Sequence, residues 1–347
     1  MLPQQDLDHI FTHTGHLWEA LRGSSIFLTG GTGFVGTWLL ESLLWANDKL
    51  DLGVTVVVLT RNPERYRLNS PHLAGHPAVR LLQGDVTGFA FPEGEFPFVI
   101  HAATEPGFAP NLENPLSTFD IDFAGTRRVL DFAKGHGVRR FLFTSSGAVY
   151  GKQPSDLSHI PEDYAGAPLT TDVNSAYGQG KRASEFMIAM YSHIYGFDAM
   201  IARLFAFVGP LLPLDANYAV GNFIRDALNG GPIRIQGDGT PYRSYLYAAD
   251  LAVWLWTILL RGQSSRPYNV GSSIDLSILE LAHEVAKMAT GKVEINIALT
   301  PVSGVSPSRY VPETSRARQE LGLTVKIGLP EAIQSTMDWQ RQKYRGD

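Results

Sequence analysis

The run SSIFLTGGTGFVGTWLLESLLWA, residues 24–46, constrains the fold more than any other stretch of the chain. Ile26 to Thr29 read as a buried strand, glycines follow, and an apolar helical pattern opens at about Phe34. Gly30, Gly33 and Gly36 have the spacing GxxGxxG. In a strand–turn–helix that holds a diphosphate, one glycine permits a tight turn, one permits backbone approach to the ligand, and one permits close packing of helix on strand. The diphosphate then sits on the positive end of the helix dipole. A plain βα turn could use the same glycines, but their place between an apolar strand and an apolar helix favours a dinucleotide cradle, lined also by Thr32, Phe34 and Val35.

The following segments extend the pattern. VTVVVL (54–59) is a strand ending in Thr60-Arg61-Asn62, where an acid usually holds the ribose 2′-hydroxyl of NAD. An arginine there suits a 2′-phosphate, so Arg61, with Arg65 near it, tilts the cofactor from NAD towards NADP(H). Arg61 stacked on adenine is the alternative, and it tolerates either cofactor. VRLLQ (79–83) leads into Gly84-Asp85-Val86, where Asp85 could accept from the adenine amino group. FVIHAAT (98–104) ends in Ala102, Ala103 and Thr104, small enough to let the chain lie against a flat cofactor. Strands alternating with helices imply an α/β fold of the Rossmann type, a doubly wound parallel sheet.

Composition sets limits on partners. The 29 basic and 34 acidic residues give a net charge of −5 without a basic block or stripe, which argues against nucleic acid. The longest apolar runs, such as LAVWLWTILL (251–260), are short for a membrane span, and MLPQQDLDHIF lacks a signal-like pattern. A soluble, cytoplasmic protein is the expectation. Cysteine is absent, which removes disulfides and thiolate metal sites. His9, His13 and His16 stand at helix spacing, yet no carboxylate completes a metal site around them. Residues 1–23 read instead as a half-buried helical extension resting on Leu7, Ile10, Leu17 and Leu21.

The chemistry is carried by SAYGQGK, residues 175–181, which opens a helix running to about Tyr195. Tyr177 and Lys181 are four apart and project from one face, one turn from each other. A free phenol titrates near about pH 10, and an ammonium group beside it favours the phenolate and brings it towards neutral chemistry. FLFTSS (141–146) delivers hydroxyls to the carboxyl edge of the sheet, where ligands bind, and Ser146 is placed to hold a substrate oxygen against the phenol.

TGGTGFVG, FLFTSSGAVYG, YGQGK, RLFAFVGP, GDGTPYRSYLYAADLA and YNVGS, in that order, resemble the extended short-chain dehydrogenase/reductases that act on nucleotide sugars. The similarity runs from about residue 24 to the C-terminus. It implies an NAD(P)-binding Rossmann domain (24–204), a smaller C-terminal domain for the nucleotide sugar (205–347) interleaved with it, and a triad of Ser146, Tyr177 and Lys181. It further implies diphosphate contacts from Arg243 and Arg309, with Asn222 near the same group. A homodimer through a four-helix bundle formed by segments 115–136 and 176–195 is also implied. Asp250 is expected to orient a loop.

The stretch after Ser146 narrows the reaction. Sugar 4,6-dehydratases of this kind carry Asp-Glu there, and UDP-glucuronate decarboxylases a Glu. This chain has Gly147 and Ala148, neither of which can move a proton for elimination. Two reactions need only the triad: reduction of a 4-keto(-6-deoxy) hexose, preferred because of Arg61, and 4-epimerisation through a transient ketone with tightly bound NAD. A 4,6-dehydratase is the minor alternative. Ala206 and Asp122 stand where the resemblance leads one to expect Asn, the second at a buried hydrogen-bonding position.

Overall fold

The computed structural model describes residues 1–104, 114–216 and 218–346. Its main sheet has strands β1 (Ser25–Thr29), β2 (Thr55–Thr60), β3 (Val79–Gln83), β4 (Phe98–His101), β5 (Arg140–Ser146), β6 (Asp198–Leu204) and a seventh, Pro267–Val270. The order is Pro267–Val270, β6, β5, β4, β1, β2, β3. Every neighbouring pair is parallel. The chain winds outward from β1 through β2 to β3, then returns to β4 on the other side. The crevice between β1 and β4 is therefore the topological switch point, where ligands of open α/β sheets bind.

Both faces of the sheet are covered, which is why its strands are almost continuously apolar. Alternate residues serve different cores. Ile26, Leu28, Val56, Val58 and Leu142 pack with Trp38 and Leu43 on one side. Phe27, Val57, Leu59, Phe141 and Phe143 pack with Phe89, Phe132 and Ile188 on the other. The helices Pro115–Ala133 and Ala176–Tyr195 lie side by side over this second face.

The C-terminal part is woven into the first. Pro267–Val270 extends the main sheet beside β6. A three-stranded sheet, ordered Asp275–Ser277, Tyr242–Ser244, Arg309–Tyr310, stands apart from it. In that sheet Tyr310 lies opposite Arg243.

The N-terminal residues pack as a helix, Gln4–Thr14, against the helices Phe34–Leu50 and Ala248–Arg261. Leu7, Ile10, Leu17 and Leu21 are buried, and the Trp18 ring meets Trp256 edge-on at 5.1 Å. His9 Nε2 lies 2.9 Å from Asp250 Oδ1. The other Asp250 oxygen accepts the backbone N–H groups of Lys326 (2.7 Å) and Ile327 (3.0 Å). Asp250 thus ties a loop in place. Among the described residues, no group of three or more metal-ligating side chains occurs, and no helix is long and apolar enough to cross a membrane.

The Tyr247 hydroxyl donates to Asp6 at 2.8 Å, but burial dominates and pushes the Asp6 carboxyl up to about 6. A carboxyl raised in the folded state favours folding while it is protonated, and that advantage is lost as pH rises through about 6. Asp6→Asn keeps an acceptor for Tyr247 and removes the charge. It should stabilise the protein at pH 8 by up to about 3 kcal/mol and lose this effect below about pH 4, as read by denaturant unfolding at the two pH values.

Candidate active site

The glycine turn is shaped by steric contact. Gly30 has φ +71°, and a Cβ on it would lie 2.4 Å from the carbonyl of Ala102 at the end of β4. A Cβ on Gly36 would lie 2.1 Å from the Gly30 oxygen, so the first turn of the helix Phe34–Leu50 rests directly on the loop. Gly33 differs. It caps that helix with ordinary extended geometry, and its Cβ would meet only the Gly30 oxygen, at 3.4 Å. Among the described residues nothing requires glycine at 33, whereas a diphosphate on the free N–H groups of the helix would. Thr32 and Gly33 are exposed, and Phe34 and Val35 are half-buried behind them. With Ala102 and Ala103 lining the other side, the cradle fits a dinucleotide.

Arg61 is exposed at the end of β2, and Asn62 beside it caps the helix Pro63–Asn69 by accepting from the Arg65 N–H at 2.9 Å. Asp85 is exposed after β3. Bonds from Thr87, and the charge of Arg61, hold its carboxyl below the usual range. Val86 is buried against Gly125, where a Cβ would come within 2.9 Å of its side chain.

The three hydroxyls ending β5 have three different partners. Thr144 donates to the His101 carbonyl (3.3 Å), and Ser145 to Glu185 (2.5 Å). Only Ser146 reaches the crevice. It hydrogen-bonds Tyr177 and lies 3.5 Å from the Tyr310 hydroxyl. Lys181 is buried beneath, its Nζ 5.7 Å from the centre of the Tyr177 ring. Ser146, Tyr177 and Lys181 therefore converge at the carboxyl edge of the sheet, beside the cradle.

The electrostatics differ from the expectation for a phenol beside a free ammonium group. Lys181 Nζ sits 3.2 Å from Asp122 Oδ1 and donates to the Thr144 carbonyl at 3.1 Å. The Tyr177 phenol is pushed up, first by burial and then by the Asp122 charge. Thr104 is held at the same carboxylate by a 2.8 Å hydrogen bond.

The substrate-side residues are spread out. Arg243 is half-buried, donates to the Tyr242 carbonyl at 2.7 Å, and through the strand pairing lies next to Tyr310 and so near Ser146. Arg309 pairs with Asp275 (2.6 Å) and stacks over the Tyr242 ring at 4.1 Å. The Asn222 amide donates to the carbonyls of Leu214 and Ala216.

Family membership follows from a comparison with known proteins. The model of the NAD dependent epimerase/dehydratase family matches residues 26–271. The chain belongs to this family. UDP-glucuronic acid decarboxylase 3 of Arabidopsis thaliana is 32% identical over 310 residues, covering 89% of this chain and 86% of that protein. Among solved structures, the epimerase Mth375 of Methanothermobacter thermautotrophicus superposes with a TM-score of 0.79 at 22% identity, over 96% of this chain and 97% of that one. Bordetella bronchiseptica WbmF in complex with NAD+ and UDP gives 0.76 at 22%, over 94% and 95%. The protein is thus an enzyme of the extended short-chain dehydrogenase/reductase type, in an NAD-dependent family.

One residue at the site is not singled out by any sequence motif: Tyr310. A Cβ on Gly147 would lie 2.7 Å from the Tyr310 hydroxyl and 2.8 Å from the Phe205 ring. The phenol takes the volume that a side chain at 147 would need, and burial pushes its pKa up to about 12. The signal lies in PSRYVPE, one residue past Arg309, but local sequence does not show that this strand reaches Ser146.

The cradle generates a paired prediction. Gly36→Ala, blocked by backbone, should cost about 1–3 kcal/mol of stability together with cofactor binding. Gly33→Ala should leave the melting temperature within a degree or so, yet weaken cofactor binding at least about tenfold. Thermal melts and fluorescence titration with NAD and NADP check both.

Proposed function

We propose that the protein reduces the keto group of a nucleotide-linked 4-keto(-6-deoxy) hexose, with Tyr177 as proton donor. The observation that carries this reading is the missing carboxylate at 147 and 148, with Tyr310 and Phe205 filling the space beside Gly147. Elimination and decarboxylation lose their expected acid or base there, whereas hydride transfer at one carbon needs only a phenol and a hydroxyl. Ser146 and Tyr177 would hold the carbonyl oxygen between them. When bound, the nicotinamide supplies the hydride at C4. Lys181 would orient the cofactor ribose against Tyr177.

A nucleotide sugar as substrate is supported by the names of relatives, which include UDP-glucuronic acid decarboxylases and a structure holding UDP. Arg243 is the best-placed cation for the diphosphate, with Arg309 and Asn222 further from the triad. For the cofactor, Arg61 without an acid at 60–62 favours NADP(H). Asp85, close enough to feel the Arg61 charge, offsets part of that preference and favours a second reading: 4-epimerisation with retained NAD. Mass spectrometry after mild denaturation separates the two. Protein that arrives without cofactor and consumes NADPH with a dTDP-4-keto-6-deoxyhexose supports reduction. Near-stoichiometric retained NAD overturns it in favour of epimerisation. Tyr177→Phe should lower kcat by at least about 10²-fold while cofactor affinity stays within about twofold.

A homodimer completes the reading. Leu116, Phe123, Phe186, Met190 and Ile194 are exposed on the adjacent helices Pro115–Ala133 and Ala176–Tyr195. This apolar face suits a four-helix bundle with a second copy. The double variant Phe186→Glu/Ile194→Glu should run as a folded monomer by light scattering. An unchanged mass would remove the bundle from the proposal.

A further inference from the structure

The Lys181 ammonium is not free to act on the phenol alone. Its Nζ contacts Asp122 Oδ1 at 3.2 Å and the Thr144 carbonyl at 3.1 Å, and both side chains of the ion pair are buried. Removing one member of a buried pair leaves the other charge uncompensated, so the two form a unit. The carboxylate is anchored on one side only. Oδ1 also accepts from Thr104 at 2.8 Å, whereas Oδ2 is buried without a hydrogen-bond partner among the described residues. Asp122 is held against the neighbouring helix Ala176–Tyr195 at two points: Ser184 donates to its carbonyl at 2.8 Å, and Gly180 leaves room for its side chain, since a Cβ on that glycine would lie 3.0 Å from the Asp122 Cβ.

We propose that Asp122 is a positioning residue that cancels the charge of Lys181 and keeps Tyr177 a neutral phenol, so that the resting site donates a proton to a keto oxygen rather than withdrawing one from a carbinol. The inference rests on the hydride-transfer reading and gives it a direction. In reduction, a reduced nicotinamide would give up the hydride of its C4–H bond and leave as the oxidised ring, and that hydride would form the new C–H bond at the carbonyl carbon. The carbonyl oxygen takes the Tyr177 proton, and the resulting phenolate is reprotonated from solvent. A site that starts as phenolate cannot begin this reaction.

The groups around Tyr177 are consistent with that state. Ser146 donates or accepts at the end of β5, and Tyr310 and Tyr218 face it as neutral phenols. Burial pushes the Asp122 carboxyl up, the Lys181 ammonium and the Thr104 hydroxyl pull it back, and its negative charge opposes ionisation of Tyr177. Arg243 acts on Tyr310. His101, under Lys181, bonds Thr29 at 2.7 Å and Thr126 at 3.0 Å, and burial holds it neutral with its pKa near 3.

The test is Asp122→Asn, nearly isosteric, read first without substrate. Tyrosine-ring carbon NMR on the full-length protein, with Tyr177 identified by its loss in Tyr177→Phe, follows phenol ionisation. The Tyr177 midpoint should fall by at least one pH unit in Asp122→Asn, and Thr104→Val, which keeps the carboxylate, should not lower it. An unchanged midpoint, or a phenol that stays protonated in both proteins throughout their folded range, overturns the proposal. Should Asp122→Asn fail to fold, Asp122→Ser is read the same way, and failure of both makes Asp122 a purely structural residue and equally overturns it. A second arm uses turnover. The alkaline limb of kcat/KM for keto-sugar reduction should move to lower pH in the variant, whereas a structural role lowers activity without moving the limb. Loss of the wild-type reaction itself would count against the reductase reading alone, because the NMR result does not depend on it.

Discussion

Everything in the cofactor half of the molecule depends on how closely backbone meets backbone at Gly30 and Gly36. The helix Phe34–Leu50 can aim its first turn at the switch point only because no side chain stands at either position. The clearances, 2.1 and 2.4 Å to backbone atoms, leave no room for relaxation. That approach also sets the place of β4, since Gly30 presses on the Ala102 carbonyl. From there the small residues Ala102 and Ala103 follow at the floor of the crevice. These two contacts fix the helix terminus, the turn and the neighbouring strand end, and Gly33 inherits its position from them.

The reactive side of the crevice is organised by charge rather than shape. Lys181 and Asp122 are both buried, and their pairing joins the helix that carries Tyr177 to the helix beside it. A separate buried group, Glu185 with Arg203, Ser145 and Tyr150, holds the same helix against β5 and β6. Tyr177 is therefore supported on two sides by ionic contacts, which carry more orientation than an apolar face would.

Much of this was legible in the sequence because it is local. The strand–glycine–helix run, the four-residue spacing of Tyr177 and Lys181, and the hydroxyls ending β5 are each determined within a dozen residues, and the parallel sheet follows from their repetition. The burial of Leu7, Ile10, Leu17 and Leu21 was equally readable from helical periodicity. What could not be read were contacts between distant segments. Asp122 has no visible role in its own helix, and gains one only because Lys181, on another helix, packs against it. Tyr310 lies far from Ser146 along the chain and reaches it only because Arg309–Tyr310 pairs with Tyr242–Ser244. The phenol shift, too, departs from expectation for nonlocal reasons: burial raises it first, and the charge of Asp122, which comes from another helix, raises it further.

The position of Tyr310 has a consequence for how the crevice could change. Ser146 and Tyr310 stand 164 residues apart in the chain and meet only because Arg309–Tyr310 pairs with Tyr242–Ser244. The side wall next to Gly147 is therefore carried by a small sheet that is separate from the one bearing the triad. A substitution that loosens the small sheet would reshape the cleft and leave the reactive groups where they are.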